Sequence, residues 1–200
     1  MARADLYLST DVEADGPLPG PYSMSSLGIA VAGRYDGTTF ERFDPERDTF
    51  YAELKPISTD VDPQAAAVSG LDRDSLVRDG EDPRTAMQRC VRWVEEVSAR
   101  HDARPVFVAY PLGFDWMFVY WYLLRFTGGS PFGHSAHLDL KTFYAARSGA
   151  TVTRSTKRSM PVGLLSRRPH THNALDDAVE QADLLANLMA FRAPARTPSG

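Results

Sequence analysis

The chain has almost no cysteine. Cys90 stands alone among 200 residues, which excludes an internal disulfide and any multi-cysteine zinc site and makes the cytoplasm the expected compartment. An uninterrupted apolar run is missing too. The longest apolar region, Val106 to Phe126, contains Pro111, Gly113, Asp115 and Arg125. Such a segment is expected to form a strand, a turn and a buried helix, with no span of a membrane. Met1 to Asp15 has no basic segment followed by an apolar stretch, so no signal peptide is expected there. The sequence shows no internal repeat and no low-complexity domain. It also lacks a basic surplus, the net charge being -4.

What is present describes one globular domain. Hydrophobic residues make up 43% and charged residues 24%, enough to bury one core and too apolar for a disordered chain. The expected domain covers residues 1–191, with Arg192 to Gly200 (RAPARTPSG) as a flexible tail. Charge is unevenly distributed along it. Residues 1–140 carry 13 Lys and Arg against 22 Asp and Glu, whereas residues 141–200 carry 9 against 4. The last third is therefore where a polyanion would be held, unless this is only a solvated basic surface.

Patterning sets the elements. Asp5 to Glu13 alternates, with Leu6, Leu8, Thr10 and Val12 on one face, and reads as a strand. Asp15 to Ser23 is rich in Gly and Pro and reads as a loop. Ser26 to Ala32, Thr49 to Leu54, Pro105 to Ala109 and Leu138 to Leu140 are four further strands. Residues 63–69 form a short helix, Pro83 to Arg100 a long one and Asp115 to Phe126 a third, with a last helix beginning near Ala174. Strands first, then alternation with helices, predicts a layered α/β domain with a mixed sheet.

Three acidic segments stand out. Asp11 and Glu13 are two apart on the first strand and so share a face, where two carboxylates need a compensating cation. A polar, solvent-facing edge strand would look the same. Gly16 lets the chain turn just beyond them, at a strand end where α/β sheets bind ligands. Asp115 follows Phe114 at the start of a helix, where an acid also complements the helix dipole. Trp116, Tyr120 and Trp121 behind it read as core. His172 precedes the last helix and Asp177 lies just inside it, with Asn173 as N-cap and Asp176 at the third helical position, a variant of the capping box. Helical phase does not separate Asp176 from Asp177.

Together these segments resemble the DEDDh branch of the ribonuclease H-like exonucleases. Asp11-Val12-Glu13, Phe114-Asp115 and His172 followed five residues later by Asp177 match the branch's three motifs in order. The sister branch has tyrosine four residues before the last aspartate, where this chain has Asn173. Leu54-Lys55-Pro56, Val61-Asp62-Pro63, Ala65 and Val68-Ser69-Gly70-Leu71 match a further, non-catalytic stretch. Two departures occur: Tyr110-Pro111 where His-Asn is common, and Ser69 where histidine is common before glycine.

The resemblance implies a ribonuclease H-like α/β fold, a central mixed five-stranded sheet flanked by helices. It implies 3'–5' exonuclease activity on RNA or single-stranded DNA with a free 3' end, releasing 5'-mononucleotides. Two divalent cations, Mg²⁺ or Mn²⁺, would be held by Asp11, Glu13, Asp115 and Asp177, with His172 as general base. Phe114, Arg167 and Arg168 are candidate substrate contacts, the arginines closing a segment, Arg154 to Arg168, with five cationic residues and no acid. The sequence points to no membrane partner and leaves a homodimer open. Competing readings are a non-catalytic nucleic-acid-binding domain of this fold, a ribonuclease H-type endonuclease, and a structural zinc protein using His134, His137, His170 and His172, a set without cysteine or HExxH.

Overall fold

The computed structural model describes residues 4–192; the expected tail falls outside the described residues from 193 onward. The chain runs β1 (Ala4–Ala14), β2 (Met24–Tyr35), β3 (Phe40–Arg42), β4 (Thr49–Glu53), α1 (Pro63–Ser69), α2 (Arg73–Asp79), α3 (Pro83–Arg100), β5 (Ala103–Ala109), α4 (Leu112–Thr127), β6 (His137–Asp139), α5 (Leu140–Ser148) and α6 (Ala174–Ala190). Three short 3₁₀ turns lie between α5 and α6.

β1 is the centre of the sheet. It pairs antiparallel with β2, with Asp11 opposite Gly28, and parallel with β5, with Leu8 opposite Phe107. β6 extends the sheet beyond β5 in parallel. The sheet has six strands where the sequence pattern predicts five. The additional one, β3, has three residues, too few to show alternation, and lies on the same edge of β2 as β4. The turn at 43–48 interrupts what is one edge position, and hydrogen bonds from Phe43 N to Ala32 O and from Val31 N to Asp48 O bridge the interruption.

Both faces of this sheet are covered. Leu6, Leu8 and Val12 pack with Met87, Val94, Phe118 and Leu123 of α3 and α4. Tyr7 faces the other way and packs with Tyr144, Ala178, Leu185 and Leu188 of α5 and α6. Alternation along β1 therefore feeds two cores, one on each side. The odd-numbered positions look toward α6, so Asp11 and Glu13 are carried on that face.

Local signals account for the helices. Pro83 opens α3 after Asp82, whose side chain accepts from Thr85 N. α4 begins at Leu112, three residues before the expected start, because its first turn is capped from outside: Leu112 N donates to Asp139 Oδ2 at 2.7 Å. No helix among the described residues is long and apolar enough to cross a membrane.

Candidate active site

Asp11 and Glu13 sit at the C-terminal end of β1, and the first turn of α6 lies over them. That proximity depends on Gly28, which pairs with Asp11. A Cβ on Gly28 would stand 2.3 Å from the carbonyl carbon and oxygen of Ala174 and 2.4 Å from the Leu175 nitrogen. Backbone thus meets backbone where α6 crosses β2, as glycine in a strand permits. The result brings donor oxygens of Asp11, Glu13 and Asp177 within 4.8 Å of one another.

Asp115 reaches the same place from the opposite layer. It occupies the first turn of α4, and its Oδ1 accepts the Val12 N–H at 3.0 Å, between Asp11 and Glu13. Asp177 is fully buried, and each of its oxygens accepts a backbone N–H: Thr171 N to Oδ1 and His172 N to Oδ2, both 3.0 Å. Asn173 caps α6 by accepting from Leu175 N and Asp176 N. The expected capping box does not close. Asp176 accepts instead from the Thr171 hydroxyl at 3.1 Å, and the Asn173 N–H goes to that same hydroxyl. His172 itself is exposed, at φ 57° in the left-handed region.

The electrostatics follow from packing acids together. Burial, then the neighbouring Asp115, Asp177 and Glu13, raises Asp11 well above the usual carboxylate range, opposed by a hydrogen bond from Gln181. Burial and the nearby Asp177 push Glu13 up to about 7. Asp115 also rises to about 7, chiefly through burial, although the Val12 N–H favours its charged form. Each charge here is costly without a cation. An all-oxygen donor set suits a hard divalent ion.

Comparison with known proteins gives the site its context. No protein-family model matches the chain. The 3'-5' DNA exonuclease Cap18 of Escherichia coli is 39% identical over 185 residues, covering 90% of this chain and 89% of that protein. The chain belongs to the DEDDh family of 3'–5' exonucleases.

Solved structures share the exonuclease's ribonuclease H-like fold at low identity. A 3'-exonuclease recognising the 3' end of the histone mRNA stem-loop superposes with TM-score 0.67 at 11% identity, over 94% of this chain and 63% of that one. The nuclease domain of 3'hExo bound to rAMP gives 0.65 at 12%, over 94% and 92%. E. coli Exonuclease I with a dT13 oligonucleotide gives 0.62 at 14%, over 95% and 41%. This chain is accordingly a nuclease, a hydrolase, and its family implies divalent cations, which the acidic cluster fits.

The three candidate substrate contacts of this exonuclease fare differently. Phe114 is 38% exposed beside Asp115 and packs against Phe118. Arg167 is exposed and lines a cleft of about 720 Å³ with Val162, Ser166 and Asn187. Arg168 is held by two carboxylates, Nε to Asp183 Oδ2 at 3.1 Å and a terminal nitrogen to Glu46 Oε1 at 2.5 Å. Of the other two histidines of the zinc reading, His137 lies against Trp116, and neither joins a metal-competent cluster among the described residues. Two residues escaped the sequence reading. Gly28 is a glycine inside a strand, a visible sign of close backbone approach. Gln181 lies four residues after Asp177, on the same helical face, and its Nε2 donates to Asp11 Oδ1 at 2.7 Å.

Proposed function

We propose that the protein removes nucleotides one at a time from the 3' end of RNA or single-stranded DNA, releasing 5'-mononucleotides, with two Mg²⁺ or Mn²⁺ ions. One observation carries this reading: donor oxygens of Asp11, Glu13 and Asp177, from opposite ends of the chain, converge within 4.8 Å. The DNA activity in the name of the E. coli relative favours DNA over RNA.

When bound, a pair of divalent ions neutralises the scissile phosphate, lowers the barrier to deprotonating a water and stabilises the leaving oxygen. Asp11 would serve both ions. Glu13 and Asp177 would complete the set on the side of the attacking water, and Asp115 would support the other side. Asp115 is oriented for this by its bond to Val12 N, and Asp177 by the Thr171 and His172 N–H groups. His172, at the solvent side of this cluster, would accept the proton of the attacking water on an imidazole nitrogen, a task suited to a neutral ring near pH 7. Arg167 and Phe114 would meet the strand's phosphate and terminal base.

The decisive experiment digests matched 5'-end-labelled DNA and RNA oligonucleotides, single- and double-stranded, with Mg²⁺, Mn²⁺ or excess EDTA. A ladder shortening by single nucleotides, dependent on cation and absent on a closed circle, is expected. Full activity in EDTA defeats the two-ion reading. Cleavage of the circle by homogeneous protein establishes an endonuclease.

A further inference from the structure

Of two neighbouring histidines, only His172 takes part in the proposed chemistry. His170 and His172 lie on the loop entering α6, with ring centroids 4.5 Å apart in an edge-on arrangement. His170 Nδ1 stands 3.0 Å from Asp177 Oδ1. One donor atom from each of His170, His172 and Asp177 falls within 4.8 Å of the other two. These donors are presented by a pinned turn: the Thr171 and His172 N–H groups bond to Asp177, and the Thr171 hydroxyl bonds to Asp176. Both histidines are exposed, so an ion reaches their ring nitrogens from solvent.

This donor set differs in kind from the carboxylates below it. Two imidazole nitrogens and one carboxylate oxygen suit a borderline ion such as Zn²⁺, bound by three protein ligands with a fourth position left to water. Divalent affinity for nitrogen and oxygen donors places Zn²⁺ well above Mn²⁺. Mg²⁺, which keeps oxygen ligands and several waters, has little to gain from imidazole. Asp177 belongs to both sets, so the two cannot be filled independently.

We propose that His170, His172 and Asp177 form a second metal site, specific for ions of the Zn²⁺ class, whose occupation shuts the nuclease off by withdrawing Asp177 from the hard-cation centre and the His172 lone pair from the attacking water. Binding at this site stands on geometry alone. Inhibition rests on the role proposed above for His172, and the two are read separately.

The test titrates Zn²⁺ against a chelating dye in excess Mg²⁺, using the wild type, His170→Ala and Asp11→Asn, and repeats the comparison with Co²⁺ by visible absorption. Wild type and Asp11→Asn should retain a Zn²⁺ site that Mg²⁺ does not displace. His170→Ala should weaken it by at least about tenfold, the low end of what losing even an outer partner costs a metal site. The Co²⁺ bands should fade in the same variant. Zinc needed for half-inhibition, relative to each protein's own zinc-free rate, should rise in parallel in His170→Ala. Equal zinc affinity in His170→Ala and wild type overturns the site. So does loss of zinc in Asp11→Asn with retention in His170→Ala, which would place the ion among the carboxylates. Zinc bound through His170 with no inhibition upholds the site and overturns the role of His172.

Discussion

The carboxamide of Gln181 donates to Oδ1 of Asp11 across 2.7 Å, joining the last helix to the first strand over a separation of 170 residues. Gln181 is 2% exposed, and its own carbonyl oxygen has no hydrogen-bond partner among the described residues. It is thus a buried amide spent on orienting one carboxylate. Asp177 and Gln181 share a face of α6, so the helix that supplies one acid also steadies the other.

Gln181→Leu should therefore raise the Mg²⁺ concentration for half-maximal activity by about 10–100-fold, the usual effect of losing an outer partner of a metal ligand. The rate at saturating Mg²⁺ should fall less. Titrating activity against Mg²⁺ checks this, and an unchanged half-saturation point would make Gln181 a packing residue only.

Gly28→Ala tests how α6 is seated. The added methyl has backbone on the other side, the Ala174 carbonyl and the Leu175 nitrogen, so no side chain can swing aside. Overpacking of this kind costs about 1–3 kcal/mol. Urea unfolding should show that loss, and activity should drop with it because Asp177 moves away from Asp11. Wild-type stability in Gly28→Ala would mean that the helix rides over the strand more loosely than this contact implies.

Much of this arrangement was legible in the sequence, and what was not has physical reasons. Asp82-Pro83 and a strong apolar stripe mark α3 locally, and the helix runs over the same Pro83–Arg100 that the pattern predicts. β3 and α2 are short, and α5 follows β6 without a break, so its first residue, Leu140, reads as the end of a strand. Helical phase does not distinguish Asp177 from Asp176 and only the resemblance does; in the fold Asp177 is fully buried and Asp176 is exposed. Arg168 looked like a free cation in a basic run. Glu46 and Asp183, which hold it, are 122 and 15 residues away, and only the fold brings them together.

That pairing splits the two arginines. Arg167→Ala should flatten the dependence of substrate affinity on salt, by roughly 0.7–0.9 in the log–log slope if one phosphate contact is lost. Arg168→Ala should leave the slope nearly intact, because its charge already meets two carboxylates. Binding measured across a salt series decides, and a larger slope change for Arg168 would reverse the assignment.

Protonation of the acidic cluster should be visible without any substrate. Glu13 and Asp115 titrate near 7 in the folded protein, and Asp11 is raised as well. Between the ordinary carboxylate range and about 7, the folded chain keeps protons that the unfolded chain has released, so stability falls as pH rises through that window. In EDTA, thermal unfolding should move to lower temperature from pH 5 to pH 8. Mg²⁺ should raise it, and more so at the higher pH, because the ion replaces the protons. Glu13→Gln, neutral throughout, should flatten the fall. Identical pH profiles for Glu13→Gln and wild type in EDTA would show that this carboxyl does not hold its proton as described.

His172 separates the carboxylates' task from the proton's. His172→Ala leaves Asp11, Glu13, Asp115 and Asp177 in place, and the His172 N–H that orients Asp177 belongs to the backbone and survives the change. Divalent ions should therefore still bind, and so should the substrate. What is lost is the acceptor for the water's proton, and removing a general base costs about 10²–10⁴ in rate. The loss should fall on kcat, with the substrate's KM and the half-saturating Mg²⁺ little altered. Asp11→Ala should behave differently, losing rate and cation affinity together. The left-handed φ of 57° at His172 complicates the alanine slightly, because alanine tolerates that conformation poorly. His172→Asn supplies the control: asparagine accepts the left-handed backbone but offers no basic nitrogen. If both variants lose kcat alike, the imidazole is responsible. If Asn retains wild-type kcat, His172 serves the turn and not the chemistry, and the proton must leave by another route.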